Sequence, residues 1–173
     1  LAATTDLASA KALIVRPNDK TNDILSMYFI PESKLTDSSD KEAGAKYAEW
    51  ARQGILTICE GNEIDIAGVA DWYYKLYKKY KLRPYKIGYD QRYAKTFIEQ
   101  CGVYGFEVEM LAQGKYLSNA MKLTEAELKS KAVNFGNNEL DKWCLGNCCC
   151  QVDNYGTIQP VKNKAQKSKR IDG

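Results

Sequence analysis

Between Ile55 and Leu111, short apolar runs alternate with helical patterns, and this rhythm narrows the possible fold more than any other feature. Ile55 to Cys59 reads as a strand and Gly61-Asn62 as a turn. In the helix predicted from Ile64 to Tyr80, Ile66, Val69, Ala70, Tyr73, Leu76, Tyr77 and Tyr80 recur at three- and four-residue spacing. After Arg83-Pro84 come a strand over Tyr85 to Asp90, a helix from Gln91 to Gln100, a stop at Gly102 and a strand from Phe106 to Leu111. Strand, helix, strand, helix is the order of crossover units, so the predicted class is α/β. The tyrosine stripe is read as a face packed on the sheet, because tyrosine combines a large buried area with a polar tip.

The flanks extend this plan. Ala8 to Val15 and Ile24 to Ile30, joined through Arg16-Pro17-Asn18-Asp19, predict a hairpin. Pro31 to Asp40 reads as a polar surface connection, and Lys41 to Arg52 as a helix carrying Ala45, Ala48 and Trp50. Further on, Ser118 is placed to cap a helix over Asn119 to Lys131, and Asn138 to Leu145 predicts a brief helix. Cys148 to Asp153 and Thr157 to Val161 form a late hairpin about Asp153-Asn154-Tyr155-Gly156. A length of 173 residues with 45% apolar content suits one compact domain spanning residues 1–173.

Histidine is absent, which excludes Ser-His-Asp hydrolysis, zincins and His-metal finger nucleases. Acid, base or metal chemistry must therefore come from carboxylates. Of the six cysteines, Cys148, Cys149 and Cys150 are consecutive, which suits neither a disulfide framework nor a CxxC zinc site. They are read as reduced, mostly buried thiols of a cytosolic protein. No signal peptide and no apolar run of about 18 residues is present, so membrane spanning is not expected.

Asp90 lies where a strand ends, the edge at which ligands gather in open α/β sheets. Asp6 and Asp172 also flank predicted elements, and together the three carboxylates are candidates for a divalent metal site. The net charge of +3 says little by itself. Its distribution says more, since Lys162, Lys164, Lys167, Lys169 and Arg170 form a basic loop without acidic residues, suited to phosphates. Lys122 is a further candidate for a backbone contact.

Several segments, in order along the chain, resemble the nuclease domain of tailed-bacteriophage terminase large subunits, the DNA-packaging motors. They are Leu1-Ala2-Ala3-Thr4-Thr5-Asp6-Leu7, Gly88-Tyr89-Asp90, Ala112-Gln113-Gly114 with Ser118-Asn119-Ala120-Met121-Lys122, Lys142-Trp143-Cys144 and Arg170-Ile171-Asp172-Gly173. The resemblance implies an RNase H-like mixed sheet flanked by helices, and an endonuclease dependent on Mg2+ or Mn2+, with two ions, that cuts concatemeric double-stranded DNA. Asp90 and Asp172 match two of the family's metal-binding positions, and Asp6 matches the later acidic residue of its first motif. The family's first metal-binding Asp would fall before Leu1, and its chains run on beyond the residue matched by Gly173, so weak Mg2+ binding, with Mn2+ favoured, is expected of residues 1–173.

The resemblance also implies as partners an ATPase domain, the small subunit and the portal, and as location the cytoplasm of a bacterial host. No G-x-x-x-x-G-K-[ST] loop is present, so ATP hydrolysis is not expected of this stretch. Two other readings compete: a different RNase H-like nuclease such as a junction resolvase, and a catalytically silent DNA-binding or motor-docking module.

Overall fold

The structure, a computed structural model, describes residues 7–162, 170 and 171. Strand β1 (Ala8–Ile14) runs antiparallel to β2 (Asn22–Pro31), with Ala8 opposite Phe29 and Ile14 opposite Asp23. Two short helices follow, α1 (Ser38–Glu42) and α2 (Tyr47–Arg52), and then β3 (Leu56–Cys59) returns parallel to β2. Helix α3 (Ile66–Tyr80) leads to β4 (Ile87–Tyr89), and α4 (Lys95–Val103) carries the chain to β5 (Val108–Met110), which pairs parallel with β4. After α5 (Ser118–Lys129), the two-residue β6 (Val133–Asn134) joins the start of β2. Helix α6 (Glu139–Asn147) then runs directly into the antiparallel pair β7 (Cys148–Val152) and β8 (Ile158–Lys162).

Side chains on successive strand residues point to opposite faces, and here both faces are covered. Ala8, Ala10, Phe29 and Cys59 pack with α3 and α4 through Val69, Ala70, Tyr73, Phe97 and Cys101. Leu7, Tyr28, Ile30 and Leu56 pack on the other side with Tyr47, Trp50, Leu140 and Cys144 of α2 and α6. This double covering explains why the second half of β2, Met27 to Ile30, reads as an unbroken apolar run rather than an alternation.

The start of α3 shows how local chemistry sets a boundary. Asp65 accepts from the Gly68 amide at 3.0 Å, capping the helix, while Ile64 and Val69 are buried on either side of the cap as a hydrophobic staple. A Cβ on residue 68 would come within 2.7 Å of the Asp65 carboxylate, so the cap is closed over a glycine.

Four sequence expectations change. The helix expected from Lys41 to Arg52 is two helices, because Gly44 adopts a left-handed φ of +84° after α1. The connection from Pro31 to Asp40 is not all surface, since Asp40 is fully buried. Ser118 begins α5 but does not cap it; its hydroxyl accepts from the Ile158 amide at 3.1 Å, holding β8 instead. Cys149 and Cys150 are exposed, because the two-stranded β7–β8 ribbon offers them no covering layer, whereas Cys59, Cys101 and Cys144 are buried. The tyrosine stripe packs as expected through Tyr73, but Tyr80 is 53% exposed where α3 runs past the sheet.

Candidate active site

Ile87 is buried and anchors β4 in the core, and Tyr89 packs against Phe97 of α4. The ladder to β5 continues one residue beyond the strands, with the Leu111 amide donating to the Tyr89 carbonyl at 2.9 Å. Asp90 follows at once, half-buried, at the C-terminal edge of two parallel strands. Its Oδ1 accepts from the Arg92 amide at 3.1 Å, an Asx turn that fixes the carboxylate at the mouth of the β4–α4 connection. Among the described residues Oδ2 has no hydrogen-bond donor, so one carboxylate oxygen remains for an external ligand. The Leu111 side chain lies over Gly88, where a Cβ would come 2.4 Å from Leu111 Cδ1.

The segment after β5 continues this edge of the molecule. Gly114 turns with a φ of +69° into a short 3-10 turn, Gly114–Leu117, and α5 follows. The late hairpin docks on these residues. Besides the Ser118 contact, Lys122 Nζ donates to the Gly156 carbonyl at 2.9 Å. Lys122 is thus exposed yet already engaged in holding the hairpin turn. Lys162 ends β8 half-buried opposite Cys148.

Arg170 is placed differently from a surface cation. Its side chain is buried, and Nη2 donates to both carboxylate oxygens of Asp40 at 2.9 and 3.0 Å. Tyr47 donates a third hydrogen bond to Asp40 at 2.9 Å, and the Arg170 carbonyl accepts from Asn147 at 3.1 Å. Burial, and then the Asp40 charge, push the Tyr47 hydroxyl well above its ordinary pKa, so it stays a donor. Arg170 therefore ties the chain to α1, α2 and the end of α6 rather than offering its charge to solvent. Asp6, Asp172, Lys164, Lys167 and Lys169 lie outside the described residues.

Sequence reasoning missed Asp40 and Asp141, two carboxylates that each accept three side-chain hydrogen bonds. Asp141 accepts from Lys11, from Ser26 at 2.8 Å and from Tyr28, joining α6 to both strands of the first hairpin. The one available signal was that each stands in the first turn of a short helix, a place where acids are ordinarily explained by the helix dipole. Among the described residues, no group of three or more Cys, Asp or Glu side chains is gathered as a metal site.

The whole chain, residues 1–173, matches the model of the family described as terminase large subunit, endonuclease domain. The chain belongs to that family. Its fold agrees, since the crystal structure of the HK97 bacteriophage large terminase superposes with a TM-score of 0.82 over 98% of this chain at 20% identity, covering 35% of that chain. Protein YmfN of Escherichia coli (strain K12) is 22% identical over 191 residues, which covers all of this chain and 39% of that protein. The chain thus spans well under half the length of the proteins it matches. It is a terminase nuclease domain with an RNase H-like mixed sheet flanked by helices. Among the described residues no helix is long and apolar enough to cross a membrane.

Proposed function

We propose that residues 1–173 form a single nuclease unit that hydrolyses phosphodiesters of concatemeric duplex DNA during phage genome packaging in the host cytoplasm, with Asp90, Asp6 and Asp172 holding Mg2+ or Mn2+. The observation that carries this reading is the placement of Asp90, fixed by the Arg92 amide at the C-terminal edge of β4–β5 with one oxygen open, in a domain of the terminase family.

Among the described residues, the chemistry of Asp90 supports such an ion. The chain has no histidine, its buried thiols lie within the core, and Asp90 offers a hard oxygen donor of the kind these cations select. Bound divalent ions at such a site would activate water and stabilise the leaving oxygen of a phosphodiester. Asp90 supplies charge and a fixed oxygen, and its Asx turn keeps that oxygen from swinging away. Arg170, two residues before Asp172 in sequence, is itself pinned on Asp40 and Asn147. Lys122, Lys162 and the loop through Lys164, Lys167 and Lys169 are proposed to meet the DNA backbone. The remainder of the packaging machinery, namely an ATPase domain, a small subunit and a portal, is proposed as the setting in which the cut is made.

Replacing Asp90 with Asn preserves shape and removes the ligand charge. Nicking of supercoiled plasmid in Mn2+ should fall by at least about 100-fold while the far-ultraviolet circular dichroism is unchanged. Undiminished nicking by Asp90→Asn would remove Asp90 from the site, and absence of nicking in Mn2+ by a domain extended to include the family's first metal-binding Asp would favour a DNA-binding or docking module.

A further inference from the structure

The run from Trp72 to Tyr89 contains Lys75, Lys78, Lys79, Lys81, Arg83 and Lys86 and no acidic residue. All six cations are exposed. Lys86 is neutralised by Glu107 and Glu109 at 3.2 and 3.1 Å, but no described carboxylate pairs with Lys75, Lys78, Lys79 or Lys81. A helix C-terminus favours cations, which accounts for Lys78 and Lys79 in the last turn of α3. It does not account for the cations that continue beyond the helix into the approach to β4.

Tyrosines lie beneath three of these cations, and Arg83 also donates to the Gly105 carbonyl at 2.9 Å. Lys78 lies over the ring of Tyr74 at 5.7 Å, Lys79 over Tyr80 at 4.8 Å and Arg83 over Tyr77 at 5.8 Å. Tyr80 and Tyr85 are 53% and 93% exposed. Lysines 75, 78 and 79 fall within about 6 Å of helix axis, on the side away from the buried Val69, Ala70, Tyr73 and Leu76. Such a surface presents ordered positive charge and phenolic donors together, the combination that positions a phosphate backbone without reading its sequence.

We propose that the C-terminal half of α3 and the segment from Lys81 to Tyr85 form a second contact surface for duplex DNA, separate from the carboxylate edge. The inference rests on duplex DNA being the substrate of this domain. Tyr85, the end of the surface nearest Asp90 in sequence, precedes it by five residues, at most about 17 Å of chain, so the near end of the surface lies within about five base pairs of the carboxylate.

The test is the binding of a fluorescent 30-base-pair duplex to the 173-residue chain in EDTA across a salt series. The triple variant K78Q/K79Q/K81Q should bind at least about tenfold more weakly at low salt. Its slope of log K against log salt should be flatter by up to about 2.7, at 0.9 per lost phosphate contact. K78R/K79R/K81R should restore both, showing that charge is read. A control triple, K34Q/K46Q/K129Q, removes lysines already paired with Asp37, Glu49 and Glu125, and should change the slope by less than about 1.

Equal losses in the two glutamine triples would mean that net charge alone matters and would overturn the surface. Unchanged binding by K78Q/K79Q/K81Q would overturn it too and leave an acidic protein face as the occupant. Plasmid nicking in Mn2+ separates this from the nuclease reading. Binding through the patch, with no nicking even by a domain extended to include the family's first metal-binding Asp, retains the surface and loses the nuclease assignment, and nicking with patch-independent binding does the reverse.

Discussion

Arg170 Nη2 donates to both carboxylate oxygens of Asp40 across 130 residues of chain, and both side chains are buried. Together with Tyr47 and Asn147, the pair fastens Arg170 to α1, α2 and the end of α6. Truncating one partner leaves a buried charge without compensation. Asp40→Ala should therefore destabilise the domain by roughly 3–5 kcal/mol, whereas Asp40→Leu with Arg170→Met should recover most of that loss. Urea unfolding of the three variants measures it, and a loss under about 1 kcal/mol for Asp40→Ala would show that the pair is hydrated in solution.

Gly88 and Leu111 meet across the β4–β5 edge that carries Asp90. An added methyl at residue 88 would force the Leu111 side chain aside, and Leu111 is 47% exposed, so it has room to move. Gly88→Ala should cost about 1–2 kcal/mol, and adding Leu111→Ala should return part of it. A double-mutant cycle measures the coupling, expected at about 0.5 kcal/mol or more.

The acid limb of stability should come from turn and cap carboxylates. The Ser39 hydroxyl and then Lys34 hold Asp37 below the ordinary 3.8, Arg16 and then Asn134 do so for Asp23, and the Thr157 amide does so for Asp153. Because these pKa values are depressed in the folded state, their contribution is fully present above 3.8. It is lost as the pH falls through the folded values and the native carboxylates take up protons. The urea midpoint should stay level from about pH 7 to 5 as far as these groups are concerned, and fall below about pH 4. Asp37→Asn with Asp153→Asn should flatten that fall.

Thiol labelling should sort the six cysteines by layer. Cys149 and Cys150 are exposed on β7 and should react with a thiol reagent in the folded domain. Burial raises the thiol pKa of Cys59, and that of Cys101 to about 11, so these two, with the buried Cys144, should react only on unfolding. Release of all six thiols at one rate under native conditions would contradict the two-layer packing.

The sequence by itself determined what is local. Apolar runs and helical spacing located the first hairpin, the β3–α3–β4–α4–β5 order and the late hairpin, because each is written within a stretch short enough for its own hydrogen bonds and turns. Asp90 was legible for the same reason, as a carboxylate between a strand and a helix, and the family likeness rode on short motifs of that kind. Tertiary structure alone decided the rest. Asp40, polar and in a turn-rich stretch, reads as surface until Arg170 arrives from 130 residues away to neutralise it. Ser118 reads as a helix cap until β8 competes for its hydroxyl. Lys11, Ser26 and Tyr28 gain a common acceptor only when α6 brings Asp141 over the hairpin. In each case the partner is remote in sequence, and burial changes what the group requires: a charge or hydroxyl that water would satisfy must find its counterpart within the protein.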